Sequence, residues 1–146
     1  LPDELKVKVP SQRHNQVNLR PIPNLGKPFI LLIRPVLVQV KTSDEDTKAG
    51  IAPEQALELI EQLSALPGIS VQGLMTIPAL STEPDDARPA FALLRDLRDR
   101  VVSAAIDDVE MRYLSMGMTH DFEVAIEEGA NMIRVGTAIF GARPVF

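Results

Sequence analysis

From residue 36 onward, short apolar runs rich in β-branched residues alternate with longer stretches that have apolar residues at helical spacing. The runs predicted to be strands are Val36–Val40, Ile69–Ile77, Met111–Met116 and Asn131–Val135. Strands that alternate with helices are typical of a parallel sheet whose crossover connections are right-handed. The alternation therefore predicts an α/β fold in which helices cover the sheet.

Helices are predicted in the stretches between these strands. The first begins at Pro53, because proline is tolerated in the first helical turn, and Pro67-Gly68 ends it. Its apolar stripe consists of Ala56, Leu59, Ile60 and Leu63. Asp85 and Asp86 open the second helix, whose stripe consists of Ala87, Phe91, Leu94, Val101 and Val102.

A third helix is predicted to be capped by Thr119 and ended by Gly129. The beginning of the chain is different, since residues 1–35 contain six of the twelve prolines and no sustained period. We therefore expect residues 1–35 to be an irregular N-terminal segment and residues 36–146 to form the α/β part.

The length of the chain restricts the architectures that this pattern can form. With 146 residues the chain suits one domain. Four strands fit either an open doubly wound sheet or half of a (β/α)₈ barrel, since a whole barrel needs about 250 residues. In both architectures ligands bind at the carboxyl ends of the strands.

Composition argues against several classes of function. The net charge of −5 argues against nucleic acid or an anionic membrane as the main partner, and no cysteine is present for disulfides or thiolate chemistry. His14 and His120 have no ligand-spaced partner, so we expect no metal site. His120 is expected in the first turn of the third helix. The acidic run Asp44–Asp46 lacks calcium-loop spacing and is expected to be solvated.

Small residues follow the last two predicted strands, within Leu114–Met118 and Ile133–Gly141. Two such loops side by side predict a cradle for one phosphate, because exposed backbone N–H groups bind anions. The candidate phosphate ligands are Ser115, Gly117, Gly136 and Thr137, and the alternative is that they are ordinary turn glycines and caps. Arg134 precedes Gly136 by two residues and is expected on the same face of its strand. We therefore predict a planar phosphorylated small molecule as the ligand.

Five motifs that occur in order carry a resemblance to a known family. They are Val36–Val40, Ser43–Glu45 with Lys48–Ile51, Gly73–Pro78, Leu114–Glu123 and Arg134–Arg143. Together they resemble the pyridoxal phosphate homeostasis protein family, single-domain barrels related to the N-terminal domain of alanine racemase. The resemblance covers roughly residues 36–143.

The resemblance implies that this part of the chain is the C-terminal half of a partial (β/α)₈ TIM-type barrel. It would contain strands five to eight with their helices, and the N-terminal half would be lacking or degenerate. The implied function is non-catalytic binding of pyridoxal 5′-phosphate (PLP) in intracellular PLP homeostasis, in the cytoplasm. A full-length member is expected to be a monomer, whereas a half-barrel with two unpaired edges is expected to self-associate.

By the same resemblance, Arg134 faces the pyridine nitrogen of PLP, although a structural salt bridge is the alternative. Met75 and Met116 are expected to pack against the ring, with plain core packing as the alternative. Lys48 is expected to order its loop. Lys41 stands where the family usually has Asn.

The lysine that forms the Schiff base in the family is not identified in this sequence. Lys6 and Lys8 lie in a short extended segment, Leu5–Val9, and the stretch 11–18 is similar, at low specificity, to the family's third-strand loop.

Two further interpretations remain open. A PLP enzyme such as a racemase needs a Schiff-base lysine and a general base on the opposite side of the ring. The single tyrosine, Tyr113, falls inside the third predicted strand and not at its end, so we predict no catalytic residue. The third interpretation is an incomplete barrel fragment without activity of its own.

Overall fold

The computed structural model describes residues 33–43 and 49–142. The strands of this part are β1 (Arg34–Gln39), β2 (Ile69–Met75), β3 (Val109–Met118) and β4 (Met132–Arg134). The helices are α1 (Ala56–Ser64), α2 (Arg88–Ala104), α3 (Phe122–Glu127) and α4 (Thr137–Phe140). Short 3₁₀ turns, Pro53–Gln55 and Pro84–Ala87, lead into α1 and α2.

The order of the strands decides between the two architectures that the sequence left open. All neighbouring pairs are parallel, and the order across the sheet is β1-β2-β3-β4. A doubly wound sheet reverses its strand order at one point, and no reversal occurs among these strands. Because crossovers are right-handed, helices that follow strands advancing in one direction lie on one face of the sheet. The architecture is that of a parallel half-barrel.

The hydrophobic core lies between this face and the helices. Val38, Leu74 and Leu114 occupy one row of the register and are almost completely buried. Phe91 and Ile60 reach the same core from α2 and α1, and both are fully buried. Burial of each such side chain contributes about 1.5–3 kcal/mol. The apolar stripes of α1 and α2 therefore face the sheet, as predicted, except for Val102, which is 58% exposed.

Gly73 allows β2 and β3 to approach each other closely. A Cβ atom placed on Gly73 would lie 1.9 Å from the carbonyl oxygen of Tyr113 on β3. The register of β2 shifts near this point, between Val71 and Gly73. No side chain fits here unless one strand moves, so glycine is needed for the sheet to form as observed.

A cluster of ion pairs fixes α3 against α2. Glu128, directly after α3, accepts hydrogen bonds from both Arg88 and Arg95 of α2. The Glu128 side chain is only 12% exposed, whereas the arginines are more open to solvent. The hydrogen bonds of Arg88 to Glu127, Asp85 and Glu128 raise the pKa of Arg88 above its ordinary value. The cluster holds the helix that follows β3, and thereby the turn at the end of that strand.

The bounds of several elements differ from the prediction. β3 extends two residues further at each end than Met111–Met116, so the stretch through Met118 is strand and not loop. α3 begins at Phe122, which leaves His120 in the preceding turn and not in a helix, where it was expected. The His120 ring bonds the Thr82 carbonyl oxygen through Nε2, at 2.8 Å.

Some predictions concern residues outside the described ranges. These are the irregular segment up to residue 32 with Lys6, Lys8, the stretch 11–18 and His14, and the loop residues Asp44–Asp46 and Lys48. Within the ranges that are described, no helix is long and apolar enough to cross a membrane. The same residues contain no group of three His, Cys, Asp or Glu side chains that could hold a metal ion.

The close approach at Gly73 generates a test of stability. We expect Gly73→Ala to lower the free energy of unfolding by about 3 kcal/mol. The new Cβ would meet backbone atoms of Tyr113, which cannot move aside as the end of a flexible side chain can. Gly136→Ala is the matched control, since its Cβ meets no atom within 4 Å. Compatible Gly→Ala changes alter stability by about 1 kcal/mol or less. Urea unfolding of both variants measures the difference, and equal stabilities would contradict the close approach.

Candidate functional site

The face of the sheet opposite the helices carries the polar candidate residues. Successive side chains of a strand point to opposite faces, so residues paired in the same register row on neighbouring strands share a face. Gln39, Met75, Ser115 and Met132 form one such row from β1 to β4. We call this side the open face, because α1, α2 and α3 lie on the other.

Arg134 lies at the carboxyl end of β4 and reaches back across β3. Its Nη1 donates a hydrogen bond to Ser115 Oγ at 2.7 Å, and its Nη2 donates to the carbonyl oxygen of Thr76 at 2.8 Å. These bonds use two of the five N–H groups of the guanidinium, which leaves donors for a ligand. The side chain thus links β4 to the residue that directly follows β2.

The two partners of Arg134 are neutral oxygens. Burial lowers the pKa of Arg134 below its ordinary value, and the negative charge of Asp121 opposes this shift. An arginine remains charged at neutral pH even with a lowered pKa. Within the described part of the chain, the guanidinium is therefore bonded to neutral oxygens, not paired with a carboxylate, and its positive charge is available to an acceptor at the end of the sheet.

The loops after β3 and β4 meet at one oxygen atom. The backbone N–H groups of Gly136 and Ala138 both point to Thr119 Oγ1, at 3.3 and 3.5 Å. These distances are long for N–H···O bonds, which are usually 2.7–3.2 Å. A phosphate oxygen is a stronger acceptor than a hydroxyl and forms shorter bonds. The two amides therefore converge on a weak acceptor that an anion could replace.

The two glycines of the predicted cradle have different surroundings. A Cβ on Gly136 would meet nothing within 4 Å, so the space before its amide is open. Gly117 has a φ of +91°, and its Cβ would lie 2.6 Å from the Cβ of Ala125 on α3. Gly117 thus has a structural reason to be glycine, namely the close packing of α3 against the end of β3.

The remaining predicted site residues also lie in different surroundings. Met75 is half-buried on the open face beside Ser115, and Thr137 is exposed at the start of α4. Ser115 is 1% exposed and bonded to Arg134. Met116 is fully buried in the hydrophobic core, because it is one residue beyond Ser115 and points to the helix side. The structure does not bring Met116 to the open face, so we leave it out of the site.

Three residues near the site were not foreseen as part of it. Thr119 was predicted to cap the third helix, but the N-cap residue of α3 is Asp121. The Thr119 hydroxyl instead contacts the loop after β4. Asp121 Oδ1 accepts a 2.6 Å hydrogen bond from the Met118 amide, which tightens the turn after β3. Thr76 contributes only a backbone oxygen to Arg134, and no side-chain pattern reports such a role.

Comparison with known proteins identifies the family to which this fold belongs. The family model "Alanine racemase, N-terminal domain" matches residues 32–144. The pyridoxal phosphate homeostasis protein of Aquifex aeolicus is 48% identical over 112 residues, which are 77% of this chain and 48% of that protein. The structure of an unknown protein from Bifidobacterium adolescentis superposes with a TM-score of 0.71 and 41% identity, covering 75% of this chain and 44% of the other.

A second solved structure is that of PipY from Synechococcus elongatus with PLP bound. It has a TM-score of 0.67 and 32% identity to this chain, and the match covers 75% of this chain and 50% of PipY. The chain spans about half the length of the curated relatives it matches. The resemblance to pyridoxal phosphate homeostasis proteins that the motifs indicated is confirmed. With most of its length matched by the family model, the chain belongs to the alanine racemase N-terminal domain family.

Proposed function

We propose that this chain is a non-catalytic PLP-binding protein that takes part in PLP homeostasis. The observation that supports this most is the bridging position of Arg134, held by Ser115 and Thr76 next to two converging backbone amides. Curated relatives are named pyridoxal phosphate homeostasis proteins, and PipY has been solved with PLP bound. The similar fold, together with donors that suit the phosphate and the ring nitrogen of PLP, supports the same ligand here.

The residues fit the two ends of PLP. Gly136 and Thr137 would hold the phosphate, together with the neighbouring turn that Gly117 and Thr119 shape. Arg134 would face the pyridine nitrogen, positioned by Ser115. Met75, half-buried in the same row as Ser115, would pack against the ring. When bound, PLP supplies an aldehyde and an electron-withdrawing ring.

Two features favour binding over catalysis. An always-charged guanidinium opposite the ring nitrogen leaves that nitrogen unprotonated, which weakens the ring as an electron sink. Tyr113, the single tyrosine of the chain, lies within β3 opposite Gly73 and not at the carboxyl end of the strand. A tyrosine there is not placed to act as a general base over a ligand bound at Arg134.

We further propose that the four strands correspond to strands five to eight of the complete barrel. The order of the motifs along the chain supports this numbering. Among the residues that the structure describes, no helix covers the open face, and β1 and β4 are the edges of the sheet. On this face Leu37, Met75, Tyr113 and Met132 are only half-buried. Apolar surface of this kind favours association, so we propose that the isolated chain self-associates through the open face.

Replacing Arg134 tests the proposed ligand. We expect Arg134→Ala to raise the dissociation constant for PLP by about tenfold to hundredfold, since a hydrogen bond to a charged group contributes about 1.5–3 kcal/mol. Equilibrium dialysis measures the affinity. The control is Arg112→Ala, because Arg112 is an exposed arginine paired with Glu110 and away from the site.

Arg134→Gln keeps an amide donor for the buried oxygens, and we expect it to stay folded with the same weakened binding. Unchanged affinity in a folded variant would contradict the assignment.

The absence of catalysis is testable with the PLP-loaded protein. We expect no conversion of L-alanine to D-alanine beyond that of free PLP at the same concentration, because Tyr113 within β3 is not placed to act as a general base over the ring. Chiral chromatography of the products measures the conversion. Racemisation that disappears in Arg134→Ala would identify an enzyme instead.

Self-association is tested by sedimentation velocity over a range of concentrations. We expect oligomers, and we expect Leu37→Glu to weaken association by about tenfold or more, because it would bury an unpaired charge on the open face. Leu93→Glu is the matched control, since Leu93 is 39% exposed on α2, on the helix side. A monomeric wild-type chain, or equal effects of both variants, would refute the proposed surface.

A further inference from the structure

We propose that this protein has a second binding site, a small cavity that takes a primary ammonium group on a short apolar stem. The cavity lies between the loop after β2 and the turn after β3 and has a volume of about 220 Å³. Liquid water occupies about 30 Å³ per molecule, so this space equals about seven waters and holds only a small ligand. The residues assigned to PLP do not line the cavity, so this inference goes beyond the proposed function.

The walls of the cavity are apolar. Ile77, Pro78 and Leu80 contribute from the loop after β2, Met118 contributes from the end of β3, and Ala87 from the turn before α2. Leu80 is 91% exposed and Ile77 is also exposed, although both are large apolar side chains. Exposed apolar surface around a concavity is typical of a binding site, because a ligand that covers it removes apolar area from water. The stem of the ligand is therefore apolar.

Hydrogen bonds connect the two sides of the cavity. His120, in the turn after β3, bonds the carbonyl oxygen of Thr82 in the loop after β2, at 2.8 Å. Within that loop, Ser81 Oγ donates to Asp86 Oδ2 at 2.5 Å and accepts from the Glu83 amide at 3.1 Å. A ligand therefore meets walls that are already in place, which lowers the entropic cost of binding.

A buried carboxylate supplies the main polar group of the lining. Asp121 lines the cavity and is only 9% exposed, and its Oδ1 accepts a hydrogen bond from the Met118 amide. Its other oxygen, Oδ2, has no hydrogen-bond partner among the residues that the structure describes. The charge of Asp121 also acts on Arg134, but that guanidinium bonds Ser115 and Thr76. Because a buried carboxylate oxygen is unfavourable without a donor, and charged donors bond most strongly, the cavity favours a cation.

Glu83 adds a second negative charge to the lining. Its side chain is exposed and has no ion-pair partner in the described part of the chain, whereas Asp85 is paired with Arg88. The stretch 77–87 contains three carboxylates and no lysine, arginine or histidine. A carboxylate on the ligand would be repelled by these like charges. The cavity therefore favours an amine over a free amino acid.

Titration of the nitrogen-15-labelled full chain with n-butylamine, followed by NMR, tests this site. No PLP is added, because the amine would condense with its aldehyde. We expect the amide signals of Ile77, Met118 and Asp121 to shift with a dissociation constant of about 1 mM, an affinity that a ligand of this size can reach. n-Butanol has a similar shape without the charge and should bind about tenfold more weakly, and butyrate should not bind. Equal binding of butylamine and butanol, or shifts only elsewhere, would overturn the proposal.

The same ammonium and stem occur in a free amine and in the side chain of a lysine. Nα-acetyl-lysine N-methylamide carries them on a peptide backbone, so its affinity relative to that of butylamine distinguishes the two sources. If butylamine binds at least as tightly, the ligand is a free amine. If the lysine compound binds more tightly, the ligand is a lysine side chain of another protein. Binding of neither compound would refute the site.

Two substitutions test the carboxylates. Asp121→Asn keeps an oxygen for the Met118 amide but removes the charge, so we expect butylamine to bind about tenfold more weakly. Glu83→Gln changes an exposed side chain and should stay folded, with affinity lowered about twofold to fivefold. Glu123→Gln is the matched control, since Glu123 is an exposed carboxylate of α3 outside the lining, and its affinity should not change.

Unchanged affinity in folded Asp121→Asn and in Glu83→Gln would show that the carboxylates do not bind the ammonium. These measurements are made without PLP. Failure of the proposed function would therefore leave the expected amine binding as it is, and failure of amine binding would leave the proposed function as it is.

Discussion

The hydrogen bonds of Arg134 connect three strands of the sheet and define where a ligand can lie. Its guanidinium, which originates on β4, bonds the Ser115 hydroxyl on β3 and the Thr76 carbonyl oxygen just after β2. Thr76 in turn bonds β1 through the carbonyl oxygen of Val40. Together the bonds of Arg134 and Thr76 connect the carboxyl ends of all four strands, and Arg134 places a positive charge among neutral oxygens.

The arrangement of the sheet around this arginine follows from steric limits. Gly73 lets β2 approach β3, and Gly117 lets α3 pack against the end of β3. The bonds of Glu128 to α2 then hold α3 in place. Because α3 is fixed, the turn that carries Thr119 is brought to the loop after β4. The weak bonds at Thr119 Oγ1 show that two backbone amides already point to one location.

Sequence reasoning was most successful where chemistry depends on residue type and periodicity. The parallel α/β architecture followed from the alternation of strands and helices, and Arg134 was singled out because it precedes Gly136 by two residues, on the same face of the last predicted strand. The prediction failed where it depended on which face of the sheet a side chain occupies. Met75 and Met116 both occur near strand ends, but Met75 is in register with Ser115, so Met116 points to the opposite face and lies in the core.

By itself, the sequence determined the kinds of elements, their order and the family, because apolar periodicity and ordered motifs are local properties of the chain. Only the tertiary structure decided that the strands run in an unreversed order, that Arg134 is bonded to the neutral oxygens of Ser115 and Thr76, and that Thr119 contacts Gly136. The physical reason is that these features join residues 17 or more positions apart. Such contacts depend on strand register and on backbone atoms, which every residue type supplies alike.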